Sequence, residues 1–188
     1  MYRFIKRMAD VCLAVLGLVV FSPLYIALIV LIRMTSAGPA IIHQERVGYK
    51  GRRFVMYKYR TMKDDAFLYE MSPNNRRDER VTSIGRLLRM TSLDEMPQLW
   101  NIIKGDMSFV GPRPEMPFLA EKYTAAERRR LDVLPGLTGL WQVSGRKDIP
   151  LHENLGLDLE YVENQNLWLD AKILLKTVIV VLSCKGAY

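Results

Sequence analysis

Two adjacent carboxylates, in the run Thr91-Ser92-Leu93-Asp94-Glu95-Met96-Pro97, are the residues whose spacing best suits chemistry. An acid pair ahead of a proline marks a helix start, because proline is tolerated only in the first turn. Ser92 and Glu95 have the spacing of a capping box. A purely structural role is therefore open, with both acids serving free N–H groups and the positive end of the helix dipole. The neighbours point further. Arg80, Arg86 and Arg89 lie just upstream, and Arg113 follows on the stiff turn Gly111-Pro112-Arg113-Pro114. A helix N-terminus attracts phosphate, and arginine grips phosphate with a planar fork. A carboxylate held among arginines stays ionised at neutral pH. It can attack a phosphoryl centre whose charge the same arginines neutralise, which is how an aspartyl phosphate forms. The second carboxylate can help hold Mg²⁺, which takes one or two protein carboxylates plus substrate phosphates. Taken singly, each arginine reads as surface charge. Clustering around two acids is what suggests a phosphate site.

These residues follow a membrane-type segment. Residues 11–32 carry no charge, and about 20 helical residues cross a bilayer core. The run is longer than the apolar region of a signal peptide, and no small-residue cleavage site follows it. Arg3, Lys6 and Arg7 precede it; Arg33, Arg46, Lys50, Arg52 and Arg53 follow. Basic flanks prefer the cytoplasmic side, and here both flanks ask for it. Ser22-Pro23 sits in the middle. Proline removes a backbone donor and bends a helix, and Ser22 can satisfy a freed carbonyl. The expectation is a re-entrant helix that enters and leaves by one face. A kinked ordinary span with Met1 outside is the alternative.

After the membrane segment, residues 41–47 and 53–59 flank a glycine-bearing turn and read as a β-hairpin. Residues 64–80 read as a loop. Residues 83–90 and 95–104 read as short helices with buried leucine and isoleucine faces, the second ending at Gly105. A helix from Met116 to Leu134 is expected, with a polar face at Glu127-Arg128-Arg129-Arg130. Residues 135–145 are glycine-rich and irregular. Asn166 to Leu182 has helical length but is too short to span. Trp168, Lys172 and Lys176 suit a helix lying at the membrane interface, and an ordinary core helix is an equal reading. Cys12, Cys184, His43 and His152 have no metal-site or disulfide spacing and read as packing or surface residues. The net charge of +7 implies an anionic partner: nucleic acid, anionic lipid or a phosphorylated substrate.

At this point the residues resemble a family, the bacterial sugar transferases that initiate surface-polysaccharide and glycan assembly (monotopic phosphoglycosyl transferases). The matching segments are Tyr57-Lys58-Tyr59-Arg60-Thr61-Met62, Arg80-Val81-Thr82 with Ile84-Gly85-Arg86, Thr91-Ser92-Leu93-Asp94-Glu95, and Gly105-Asp106-Met107-Ser108-Phe109-Val110 running on through Gly111-Pro112-Arg113-Pro114. Pro135-Gly136-Leu137-Thr138-Gly139 and Trp141-Gln142-Val143-Ser144-Gly145-Arg146 complete the set in order. The resemblance covers nearly the whole chain. It implies that Asp94 is a nucleophile taking up the phosphosugar from a UDP-sugar with release of UMP. A polyprenyl phosphate then attacks, so the scheme is ping-pong. It implies that Glu95 is the partner of Asp94, that Mg²⁺ is held at the pair, and that Ser22-Pro23 bends a re-entrant helix. Lys58, Arg89, Arg113, Arg146 and Asp158 fall at positions resembling the family's polar site residues. With Arg60, Arg80 and Arg86 from the matched segments, they are expected to bind substrate. Met90 and Met96 depart from the usual pattern without touching the acid pair. The chain resembles a minimal catalytic unit without a long N-terminal membrane region, and its ending resembles exopolysaccharide-type members that transfer galactose or glucose phosphate.

The expected fold is therefore mainly α with a small β-hairpin. A re-entrant region, 1–36, and interfacial helices would serve a compact catalytic domain, 37–188, on the cytoplasmic face of a bacterial inner membrane. Expected partners are the UDP-sugar, the polyprenyl phosphate and anionic lipid. A homodimer is compatible with this. Nucleic acid is not expected, because the aromatics form no base-stacking platform. A membrane-anchored basic module without catalysis is the competing reading. It explains the charge and the anchor, but not an acid pair set among arginines.

Overall fold

The computed structural model describes residues 1–63, 78–144 and 155–183. The chain opens with two helices, α1 (Tyr2–Val20) and α2 (Ser22–Thr35), bent by 63° at Phe21. No single described helix is long and apolar enough to cross a membrane; this bent pair meets the length and composition together. The bend follows from Ser22-Pro23. Pro23 has no N–H for the carbonyl of Val19 four residues back, and the Ser22 hydroxyl donates to that oxygen instead, at 2.8 Å.

Both arms dock on the same body. Arg7 donates to the carbonyls of Ile102 and Ile103 at 2.6 and 2.9 Å. These are end-of-helix carbonyls, which a cation serves well by charge as well as by hydrogen bonding. Asp10 accepts from the Phe109 N–H at 3.2 Å. The Tyr2 hydroxyl and the Lys6 ammonium both donate to Asp170 at 2.9 Å. On the other arm, Leu28 and Ile32 pack with Ala40, Tyr59 and Leu88. The outward faces stay apolar: Leu16, Val19, Val20, Ile26, Val30 and Met34 are all exposed.

The expected hairpin is present. Strands β1 (Ile41–Val47) and β2 (Arg53–Tyr59) pair antiparallel, with Ile41 opposite Tyr59 and Val47 opposite Arg53. Helix α3 (Ser83–Met90) follows, capped by Thr82, whose hydroxyl accepts from the Gly85 N–H at 2.9 Å. A Cβ on Gly85 would sit 1.9 Å from the Thr61 carbonyl oxygen, so only glycine lets α3 approach the chain just after β2 this closely. Helix α4 (Gln98–Lys104) ends on Gly105, which is left-handed at φ 94°. Its inner face joins Ala14, Met56, Leu99, Ile102 and Met107 in one apolar cluster.

Two segments differ from expectation. The stretch around the Gly-Pro-Arg-Pro turn and the glycine-rich stretch pair with each other. Strand β3 (Ser108–Val110) lies parallel to β4 (Gly136–Thr138). Three-residue strands built partly of glycine carry no readable alternation. The long helix expected from Met116 to Leu134 is instead α5 (Pro117–Ala120), α6 (Ala125–Arg128) and a 3₁₀ turn, Arg129–Asp132. A capping box of Thr124 with Glu127 starts a new helix inside the expected one. As a result Arg130, read as surface charge, is 2% exposed. Helices α7 (Leu140–Ser144), α8 (Leu155–Asn164) and α9 (Leu167–Leu182) complete the fold. Asn166 caps α9, which buries Ile173 beside Val110, Val133 and Tyr161. Trp168, Leu175, Val178, Ile179 and Leu182 of α9 are exposed. Most of the loop expected at 64–80 lies outside the described residues.

Candidate active site

Asp94 and Glu95 stand on the tight link between α3 and α4. Ser92 is left-handed at φ 58° and turns the chain back. Leu93–Glu95 make one 3₁₀ turn, and α4 begins only after Pro97. The capping box expected from Ser92 and Glu95 is therefore not formed. A cap residue needs extended backbone, and Ser92 makes no side-chain cap hydrogen bond. Both acids are spent on cations instead.

Lys58 approaches Asp94 Oδ2 at 2.8 Å and Glu95 Oε1 at 3.6 Å. Arg113 reaches the same Glu95 oxygen at 3.1 Å. Side-chain exposure grades across these four residues, from 5% at Asp94 through 18% at Lys58 and 17% at Glu95 to 32% at Arg113. Asp94 lies deepest, and the cations lead out towards solvent. Arg89 stands behind, donating from Nε to the Thr61 hydroxyl at 2.9 Å. Burial pulls the Arg89 guanidinium below its ordinary value, while the charge of Asp94 opposes that shift. Arg113 is pushed above its ordinary value, chiefly by Glu95. α2 closes one side, with the Tyr25 hydroxyl donating to the Met96 carbonyl just past the acid pair.

Asn101 sets where Lys58 stands. It is fully buried on α4. Its Oδ1 accepts from the Tyr57 N–H at 3.0 Å and its Nδ2 donates to the Val55 carbonyl at 2.7 Å. One amide thus replaces a missing strand along the free edge of β2, satisfying groups that burial would otherwise leave unpaired. Sequence reasoning passed over Asn101; an amide within the apolar stripe of α4 was the available signal.

The expected binding residues fall into groups. Lys58, Arg89 and Arg113 gather at the acid pair. Arg80 is held by Asp78 at 2.7 Å, and its charge is felt at Arg89. Arg86 is exposed on α3. Arg60 and Asp158 turn inward. Arg60 is 5% exposed and donates to the Ser36 carbonyl at 2.7 Å, clasping the exit from α2. Asp158 is fully buried and accepts from Arg130 at 2.5 Å; burial pushes its carboxyl up while Arg130 opposes. Both therefore hold the frame and present nothing to solvent, because a buried charge must be spent on a partner. Arg146 lies outside the described residues, as do His152 and Cys184. Cys12 is a free, exposed thiol.

Among the described residues no three His, Cys, Asp or Glu side chains cluster as a metal cage. Two adjacent hard carboxylates remain. Their donor set fits Mg²⁺ shared with substrate phosphates and leaves a soft-metal site without ligands.

A sequence model described as bacterial sugar transferase matches residues 1–184. The galactosyl transferase CpsE of Streptococcus agalactiae is 42% identical over 97% of this chain and 43% of its own length. The undecaprenyl-phosphate galactose phosphotransferase of Salmonella typhimurium is 42% identical over 99% of the chain and 42% of its own. The exopolysaccharide production protein ExoY of Sinorhizobium fredii is 39% identical over 97% of the chain and 88% of its own length. The chain thus spans less than half of the first two relatives and most of the third.

Proposed function

The chain belongs to the bacterial sugar transferase family, and from that premise we propose that it moves a sugar-1-phosphate from a UDP-sugar to a polyprenyl phosphate such as undecaprenyl phosphate, as the first step of assembling a surface polysaccharide. The observation that carries the reading is the chain of contacts Asp94–Lys58–Glu95–Arg113, set beside a bent apolar helix pair.

In the first half-reaction a carboxylate oxygen of Asp94 attacks the phosphorus that bears the sugar. The bond from that phosphorus to the bridging oxygen breaks, and UMP leaves with the bonding electrons. In the second, a phosphate oxygen of the acceptor attacks the same phosphorus. The bond to Asp94 breaks, the carboxylate is restored, and the polyprenyl diphosphate-sugar departs. Lys58 orients Asp94. Arg113 and Arg89 stand where charge builds on the transferring phosphoryl group, and fixed cations aimed there stabilise the transition state most. Asp94 and Glu95 would hold Mg²⁺, which would neutralise the donor diphosphate.

A re-entrant seating supports this chemistry, since the acceptor is a lipid. Tyr2, Lys6 and Arg7 at the start of α1, and Ile32 and Ser36 at the end of α2, are held by one body. A straight span would take one of these ends across the bilayer. Basic flanks on both arms favour the cytoplasmic face of the inner membrane, and anionic lipid would hold them there.

UMP release tests the reading. The purified chain is given a panel of UDP-sugars, UDP-galactose and UDP-glucose among them, with undecaprenyl phosphate and Mg²⁺. One donor should dominate, and turnover should need both acceptor and metal. No UMP from any donor would overturn the proposal, and the basic-anchor reading would stand.

A further inference from the structure

The segment carrying Arg113 is fixed at four consecutive carbonyls. Pro112 O accepts from the Gly136 N–H at 2.9 Å, and Glu115 O from the Val47 N–H at 2.9 Å. The two between are served by buried arginines: Arg113 O by Arg130 at 2.9 Å and Pro114 O by Arg46 at 3.4 Å. Arg130 is the more telling of the pair. Its side chain is 1% exposed, and the same Nη2 that holds Arg113 O also meets Asp158 Oδ2. Nη1 faces the Tyr123 hydroxyl and lies 3.6 Å from Glu115 Oε2. A buried guanidinium is expensive unless acids neutralise it, and a carbonyl could be satisfied by a neutral donor at less cost. What an arginine adds is rigidity, because its planar fork serves several acceptors in one fixed geometry.

We infer that Arg130 is a positioning residue for the transfer reaction. Anchored by Asp158 and Glu115, it fixes the backbone of Arg113, and through it the guanidinium that meets Glu95. This rests on the proposed phosphoryl transfer. Because Arg113 faces charge that builds in the transition state, loosening its backbone should lower kcat more than it raises KM. A misplacement of about 1 Å can cost roughly a hundredfold.

The test is a double-mutant cycle on the full chain, with rates normalised to folded protein by tryptophan fluorescence. Arg130→Lys keeps the positive charge for Asp158 and Glu115 but loses the fork. It should lower kcat about ten- to a hundredfold with KM changed less than about threefold. In an Arg113→Ala background the same Arg130→Lys change should cost almost nothing further, because the group it positions is gone. A merely structural role would lower stability, and the fold-change that Arg130→Lys causes in the normalised rate would be the same in both backgrounds. Arg130→Gln combined with Asp158→Asn removes the closest pair of charges together, a change that buried pairs tolerate better than loss of one, while Glu115 keeps its hydrogen bonds from the Met116 N–H and the Tyr123 hydroxyl; it should reproduce the same coupling. An unchanged kcat in folded Arg130→Lys, or losses that add independently of Arg113, would overturn the inference. Failure of the underlying reading looks different: the parent protein itself would release no UMP.

Discussion

Two clusters of carboxylates and cations sit back to back in this protein, joined through Arg113. On one side Asp94, Glu95, Lys58 and Arg113 form a graded, partly open set. On the other, Asp158, Glu115 and Arg130 form a closed one, with side chains 1%, 6% and 1% exposed. Their chemical groups are nearly the same, and their access is not. In the closed set the acids anchor a guanidinium that holds backbone. In the open set two cations meet an acid pair whose exposure grades outwards, which is what the proposed entry of a phosphate requires. Access, and not composition, separates frame from site.

The largest expected effect lies on the open side. Asp94→Asn removes the proposed nucleophile while keeping volume and a hydrogen-bonding group. UMP turnover should fall by roughly three orders of magnitude or more, with the melting temperature near that of the parent. Activity that survives would erase the distinction between the two clusters.

Next comes the closed side. Asp158→Ala leaves Arg130 without its closest acid, and stranding a buried charge costs about 3–5 kcal/mol. Urea unfolding should show that loss, and an unchanged midpoint would mean that the closed cluster bears no weight. Lys58→Met sharpens the comparison from between the two. It should cost roughly a hundredfold in kcat, the scale for removing one fixed donor from a charged transition state, with a stability loss smaller than that of Asp158→Ala, because Lys58 is partly exposed and Arg89 still acts on Asp94. A stability loss in place of a rate loss would move Lys58 to the frame.

The smallest effect belongs to Arg80 and Asp78. Arg80 holds the Asp78 carboxyl down at about 2, from an ordinary 3.8. A lowered pKa stabilises the fold above the ordinary value and is lost as pH falls towards the lowered one. The contribution should therefore be complete above about pH 4 and vanish towards about pH 2. Acid unfolding of Arg80→Ala should begin at slightly higher pH than in the parent. Coincident curves would leave the pair without a role in stability.

Much of the open cluster was legible in the sequence, and little of the closed one. Asp94, Glu95, Arg89 and Arg113 sit beside punctuation that chain chemistry makes visible, a proline after the acids and a Gly-Pro-Arg-Pro turn, whereas Lys58 was legible only through the family resemblance. The bend at Ser22-Pro23 was legible for the same reason, since a missing N–H has a local consequence. The inward turn of Asp158 and Arg60 was not, because only tertiary packing decides which of many charges is buried. Arg130 was hidden in a run of three arginines, and its burial depends on where Thr124 restarts the helix. The capping-box pattern at Ser92 misled because the left-handed backbone there arises from the tight return between α3 and α4. The parallel pairing of β3 with β4 joins segments far apart in the chain, which no local pattern records.

A covalent phosphosugar on Asp94 is read directly by peptide mass spectrometry. The chain is incubated with its preferred UDP-sugar and Mg²⁺ without acceptor, then digested. Stoichiometric UMP is expected, with a gain of one phosphosugar on the peptide containing Asp94 and loss of that gain when polyprenyl phosphate is added. Turnover with acceptor, but neither UMP nor adduct without it, would contradict the proposed bond to Asp94.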